Sequence, residues 1–404
     1  MSVPGSSGPI SWTPSGIKRR EFVKALGGCS VAVGGLILGA PAGADERRSP
    51  TPVETNLGDF LKAPRTKHSL PGPFPGRVVK VADERCLRDE VVDAETVKTM
   101  LEKGITRLTG KSMADSFALF FEKSDVIGLK VNPVGSPLIN TRPELAAAVV
   151  DWLAGNGVPK RNIIIWDRFG YMLYESGFRA ERFPDVGLEG LQTMDVAGNK
   201  WRGEDGNHIS VDHFDKQTYY YVKGVTGTGV PGYPNDEFYL NQHVFNGEYS
   251  YFGKLITQKL TKIINLPAYK NAGQGISMAC KNLGYGSICN SGRLHGPLGL
   301  NVGTEVLAAP VIRDKLVLNI TDGIRGQYDG GPGLNAEFVY PNHSLYFATD
   351  PFALDMICHR ELVAKRKEMG VRVNEHPSFT EYLRKAEKIG LGVADVEKIK
   401  LIQT

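Results

Sequence analysis

The chain has 404 residues, 41% of them hydrophobic and 23% charged, with 47 Gly, 24 Pro and 5 Cys. That composition excludes disorder, collagen and coiled coil, and the length can bury a sizeable core as one large domain or two smaller ones. The formal charge of +4 is local: Lys18, Arg19, Arg20 and Lys24 against Glu21 place +3 of it in the first 44 residues, so the remainder gives no electrostatic case for nucleic acid.

Lys18-Arg19-Arg20-Glu21-Phe22-Val23-Lys24 is followed by an uncharged Gly- and Ala-rich stretch from Ala25 to Ala40 and by Ala-Gly-Ala at Ala42 to Ala44. This resembles a twin-arginine export signal cleaved after Ala44. The apolar run is shorter than the roughly 20 residues of a membrane span and is diluted by five glycines, so no stable span is expected in the mature chain. The resemblance implies an extracytoplasmic, periplasmic protein handled folded by the export machinery, a route that suits proteins loaded with a cofactor before export. Cys86, Cys280, Cys289 and Cys358 remain after cleavage, and none forms a C-x-x-C pair. Neither a zinc knuckle nor a ferredoxin-type cluster can be read from that spacing, and any disulfide pairing is undetermined.

Residues 45–76 carry Pro50, Pro52, Pro64, Pro71, Pro73 and Pro75 and read as an extended linker or surface strap. Globular patterning runs from there to residue 404. Val126 to Val131 and Ile163 to Trp166 are short apolar runs suited to buried strands. Between them, Thr141-Arg142-Pro143-Glu144 has the spacing of a capping box with Pro in the first turn, Leu145, Val149, Trp152 and Leu153 recur at helical spacing, and Gly155 to Gly157 stops the helix. Strand, helix, strand predicts a parallel βαβ unit.

Residues 195–249, rich in Tyr, Gly and Asp, predict a β-rich insertion. Within them Gly227 to Gly232 matches G-x-G-x-x-G, but Pro231 and Pro234 forbid the helix a dinucleotide site needs. His208, His213 and His243 sit among Asp and Asn and read as loop residues rather than metal ligands. Beyond the insertion, a helix carrying Phe252, Leu255, Ile256 and Leu260 is expected, then strands at Lys262–Leu266, Leu316–Ile320 and Ser344–Ala348. A helix starts at Asp350-Pro351 and runs to about Met369, and a last amphipathic helix holds Phe379, Tyr382, Leu383, Ala386 and Ile389, closed by Gly390. The fold class is therefore α/β, a mostly parallel, Rossmann-like layered sheet.

Ligands of open α/β sheets bind beyond the carboxyl ends of the strands. The residues just past the five expected strands are Asn132, Asp167, Lys270, Asp322 and Asp350. Lys130 stands inside an apolar strand and must be paired or reach a cavity edge. Asp355, on the first turns of the helix after Asp350, is a helix-stabilising or orienting acid. The densest polar stretch, Lys270 to Gly296, holds Lys270, Lys281, Asn282, Asn290, Arg293 and His295 among glycines, the character of an anion-binding loop layer.

Val126-Ile-Gly-Leu-Lys130-Val-Asn132, the Thr-Arg-Pro helix and Ile163 to Asp167 resemble the opening of the domain of unknown function 362 family. The likeness continues through Asn265-Leu-Pro267, Lys270, Lys281-Asn282-Leu-Gly284, Asn290, Arg293, His295, Thr321-Asp322-Gly323 and Thr349-Asp350-Pro351 with Ala353 and Asp355. It covers roughly residues 120–365. Some members of that family carry a ferredoxin-type segment and are described as iron–sulfur proteins. This chain lacks the cysteine run, so that label does not transfer. Where many members have Lys followed closely by His, this chain has Asn271 and Ala272, which leaves His295 as the better histidine candidate. The strand, Thr-Arg-Pro helix and strand are also similar, by analogy of fold, to lactate-racemase-like proteins, which use a nickel-bearing nucleotide.

The resulting expectation is an exported protein that binds a small anionic ligand or cofactor at the strand ends. Lys130, Asn132, Lys270, Asn282, Asn290 and Arg293 would hold the ligand, and Lys281, His295 and Asp322 would carry any catalysis. Asp322 and Asp350 are the candidate ligands of a metal ion, whose identity is open. The alternatives are a non-catalytic protein that carries or matures a cofactor in the periplasm, and an iron–sulfur redox protein.

Overall fold

The computed structural model describes residues 53–192, 213–226, 247–273, 275–373 and 375–404. The twin-arginine motif, Gly227 to Gly232, His208 and His243 lie outside these. In chain order the elements are α1 (Leu57–Lys62), β1 (Arg77–Ala82), the short pair β2 (Leu87–Arg88) and β3 (Val91–Val92), α2 (Ala94–Thr109), α3 (Met113–Phe120), β4 (Ile127–Val131), α4 (Pro143–Gly155), β5 (Ile163–Phe169), α5 (Gly170–Glu175) and β6 (Gly187–Gln192). Then come β7 (Phe214–Tyr221), β8 (Tyr249–Gly253), β9 (Lys262–Leu266), β10 (Ala268–Ala272), β11 (Gly275–Ile276), α6 (Ala279–Gly284), α7 (Asn301–Ala308), α8 (Pro310–Arg313), β12 (Leu316–Gln327), β13 (Val339–Ala348), α9 (Pro351–Glu368), α10 (Ser378–Lys388) and β14 (Lys400–Gln403).

The central sheet has the order β14-β1-β13-β12-β9-β4-β5-β6, with β10 beside the far half of β12 and β11 beside β10. Its pairings are parallel except those made by β13 and β11. The expected βαβ unit is present as β4-α4-β5. Strand alternation sorts the core into two layers. Ile127, Leu129, Val131, Ile163, Ile165 and Ile264 pack with α2, α3 and α4 on one face. Ile164, Trp166 and Ile263 pack with Leu283, Val302, Val306, Phe352 and Leu383 of the helices on the other. The architecture is a mixed α/β sheet covered on both faces, consistent with a Rossmann-like fold.

Several elements differ from expectation. Phe252 lies in β8, and Leu255–Lys259 forms a π-helical turn instead of an α-helix. Of the insertion, β7 and the start of β8 are described, and they pair antiparallel with the rings of Tyr219, Tyr221, Tyr249 and Tyr251 in contact. Thr141 does not cap α4. Its hydroxyl binds the carbonyl of Leu266 and accepts from the Asn132 amide, and the free Arg142 N–H at the helix start is taken by Asp322. The part of the Pro-rich segment that is described is packed: Phe60 and Leu70 enter the core, and the buried Arg313 guanidinium donates to the carbonyls of Phe60, Ala63 and Pro64.

β12 runs past residue 320 to Gln327, so Thr321 and Asp322 sit within a strand and not beyond one. β10 continues β9 after Pro267, which lacks the N–H that an unbroken ladder would need. Lys270 is therefore a strand residue. Because β13 opposes β12, Asp350 emerges at the opposite end of the sheet from the carboxyl ends of β4, β5 and β12.

Candidate functional site

The carboxyl ends of β4, β5 and β10 border a partly open cavity of about 220 Å³, flanked by α6 and the chain that follows it. Lys130 enters it from β4. Its neighbours Leu129 and Val131 face the other layer, so the pleat directs Lys130 toward α6. There its Nζ, 1% exposed with the rest of the side chain, donates to Asp167 Oδ1 at 2.6 Å, Asn282 Oδ1 at 2.8 Å and the Val131 carbonyl at 2.8 Å. The ammonium is held below its ordinary pKa by burial, against the opposing pull of Asp167. Gly286 makes the room: a Cβ there would stand 2.6 Å from Lys130 Cε and 2.9 Å from Nζ. The network continues across the sheet, as Asn282 Nδ2 donates to Asn265 Oδ1 and Asn265 Nδ2 donates to Asn319 Oδ1. These amides bridge α6, β9 and β12, so no donor in the row is stranded by burial.

Lys270, fully buried on β10, donates to Asn132 Oδ1 at 3.1 Å and to the Val134 carbonyl. Burial first and the charge of Lys281 second lower its pKa to about 7. Lys281 lies on α6, where burial lowers its pKa to about 8. Its Nζ stands 5.7 Å from the centre of the Tyr285 ring and has no hydrogen bond or ion pair with any described residue. His295 packs on the same tyrosine at 4.3 Å between ring centres. Its Nδ1 lies 3.1 Å from the Gly292 carbonyl, an acceptor, which assigns the proton to Nδ1 and leaves Nε2 its lone pair. Burial, then Lys281, pushes the imidazole pKa down to about 3, so the ring is neutral at physiological pH. Arg168, from the end of β5, also lines the cavity and binds Ser291 Oγ. Among the described residues, four cations, Lys130, Arg168, Lys270 and Lys281, thus line the cavity with one carboxylate, Asp167.

Of the residues singled out in the sequence, Lys130, Asn132, Lys270, Lys281, Asn282 and His295 converge here. Asn290 and Arg293 do not line the cavity. Asn290 donates to the carbonyls of Gly247 and Tyr249, and Arg293 donates to those of Val225 and Glu248 and to Ser250 Oγ, tying down the β7–β8 region. Asp322 is buried beside α4, one oxygen accepting from Arg142 N and the other from Ile324 N, and burial lifts its pKa to about 6. Both Asp350 oxygens are occupied by the amides of Phe352, Ala353, Gly76 and Val393. In register, Asp322 faces Leu345, and Asp350 follows Ala348, which faces Asn319. That is a separation of about five strand positions, roughly 17 Å. The two do not fit a shared ion. Among the described residues no three His, Cys, Asp or Glu side chains gather as a metal site. Asp355 accepts from the amides of Ala279 and Cys280 and so fixes the start of α6.

Sequence reasoning left Arg168, Tyr285 and Gly286 unassigned. Arg168 follows directly on Asp167 at the strand end, a signal that was available. The ring of Tyr285 is placed by the fold of α6 and carried no such signal. A larger cavity, about 420 Å³ between β6 and the π-helical turn, has its Lys259 already paired with Glu189 and holds no comparable buried polar cluster.

A search among curated proteins finds no match. The family model described as Domain of unknown function (DUF362) matches residues 240–360, the segment that supplies Lys270, Lys281, Asn282 and His295 to the cavity, while Lys130, Asn132, Asp167 and Arg168 precede it. Over residues 240–360 the chain is thus similar to the domain of unknown function 362 family.

Proposed function

We propose that this is an exported protein whose cavity at the carboxyl ends of β4, β5 and β10 binds a small anionic ligand. The observation that carries the reading is the gathering of four cations against one carboxylate around a partly open cavity, where the half-buried Lys281 has no hydrogen-bond or ion-pair partner among the described residues. Like charges gathered in a largely buried site are costly, and an anion lowers the cost. The volume falls below the roughly 300–1,000 Å³ typical of drug-sized ligand pockets, which favours a compact carboxylate or phosphate. Lys270 and Arg168 supply charge-assisted donors, and Lys130 is fixed by Asp167 as part of the wall.

Purification of the full chain followed by mass spectrometry of the retained small molecule, with calorimetric titration of inorganic phosphate and short carboxylates, tests the ligand class. One of these anions should bind, and Lys281→Ala should weaken it by about tenfold or more. Absence of binding by all of them contradicts the reading. Export is supported by the Lys18 to Lys24 motif and the uncharged stretch after it. Replacing Arg19 and Arg20 by Lys should retain the protein in the cytoplasm, as cell fractionation would report. An unchanged distribution would remove the twin-arginine route.

A further inference from the structure

The three cavity lysines are not equivalent. Lys130 is held by a carboxylate and two carbonyl-type oxygens, and Lys270 by two oxygens, whereas Lys281 has an aromatic ring beside it and no acceptor among the described residues. Partial burial with no acceptor among the described residues makes the free amine easier to reach there than at an exposed lysine. The free amine is the nucleophilic form, and an apolar wall with a neighbouring cation is the environment that activates a lysine. His295, packed on the same tyrosine ring, lines the same cavity as a neutral imidazole. The cavity therefore combines charge for an anionic group with an amine that no described residue holds.

We infer that the cavity takes an oxo acid, a small carboxylate carrying a ketone or aldehyde, and that Lys281 forms an imine with its carbonyl carbon. The inference rests on the anion-binding reading and narrows its ligand. Lys270 and Arg168 hold the carboxylate. The Nζ lone pair of Lys281 forms a C–N bond to the carbonyl carbon while the C=O π pair moves to oxygen. A proton passes from nitrogen to that oxygen, the hydroxyl leaves as water, and a C=N bond remains. No oxidant or reductant is consumed. The protonated imine withdraws electrons from the adjacent carbon.

The test uses the full chain with 2-oxobutanoate and, as the partner without a carbonyl, 2-hydroxybutanoate. Binding of each is measured by calorimetry, and the oxo acid is then treated with borohydride, which converts an imine to a stable amine read by intact mass and peptide mapping. The expected result is binding of both acids and one reduced adduct on Lys281. Lys281→Arg should lose the adduct while keeping the melting temperature and some affinity for the hydroxy acid, and Lys281→Met should lose the adduct as well, so that a failure of either variant to fold does not decide the outcome. Binding of both acids with no adduct, or an adduct mapped to Lys270, overturns the imine assignment and leaves the anion reading standing. Failure of both acids to bind overturns the imine assignment, and the anion reading falls with it only if phosphate also fails.

Discussion

At Gly286 a single methyl group would meet the Asn282 carbonyl at 2.2 Å and the Lys130 side chain at 2.6 Å. The carbonyl is backbone and cannot yield as a flexible side chain would, so Gly286→Ala must shift α6 or expel the Lys130 ammonium from its bonds to Asp167 and Asn282. The expected loss is about 3–5 kcal/mol of stability, the scale of a buried ion pair left with one partner. Thermal or denaturant unfolding of the variant checks it, and a change below about 1 kcal/mol would show that the cradle is looser than described. Lys281 should behave in the opposite way. Its removal takes away a charge that has no partner among the described residues, so Lys281→Met is expected to leave stability unchanged or raise it while anion binding weakens by about tenfold or more. Lys130 was legible in the sequence because a lysine within an apolar strand needs a partner. Asp167 could be named as a strand-end residue, but its bond to Lys130 depends on β4 and β5 lying side by side in register. That Lys281 lacks a partner among the described residues was not legible, since the sequence supplies candidate acceptors throughout the same stretch.

At the scale of elements, the βαβ unit was readable from periodicity and turn residues, whereas the direction of β13 was not. Residues 344–348 have the same apolar pattern whether the strand runs with its neighbours or against them. Reversal carries Asp350 away from the cavity and makes it the cap of α9. A similar exchange occurs at α4. The Thr and Glu spacing suggested a local capping box, but Thr141 is drawn to the backbone of β9 and Asp322 supplies the acceptor from across the sheet. Asp322→Ala should therefore cost about 1–2 kcal/mol in unfolding free energy, the loss of a helix N-cap, and leave anion affinity within about twofold of the native value. Loss of affinity with stability intact would return Asp322 to the binding machinery.

At the scale of the molecule, the near-neutral charge outside the first 44 residues hides a strongly cationic interior. Its consequence is a pH dependence of binding. Lys270 and Lys281 shed protons between about pH 7 and 8 in the empty protein, and a bound anion favours their protonated forms. Binding then takes up protons, so affinity should fall as pH rises through that window, by up to about tenfold per pH unit for each proton taken up. Stability should move the other way. Both lysines have pKa values below the 10.5 of the unfolded chain, which binds more protons from about pH 7 to 10.5, so their contribution to stability improves as pH rises there. No helix among the described residues is long and apolar enough to cross a membrane.

The most direct test of the central claim is calorimetric titration of a small anion into the native chain and into Lys281→Met at pH 6.5 and pH 9, alongside the melting temperature of each. The native chain is expected to bind the anion, more weakly at pH 9, and the variant to bind it about tenfold or more weakly than the native chain at pH 6.5 while melting at least as high. Equal affinity in the two proteins at both pH values, or a variant that unfolds, would contradict it.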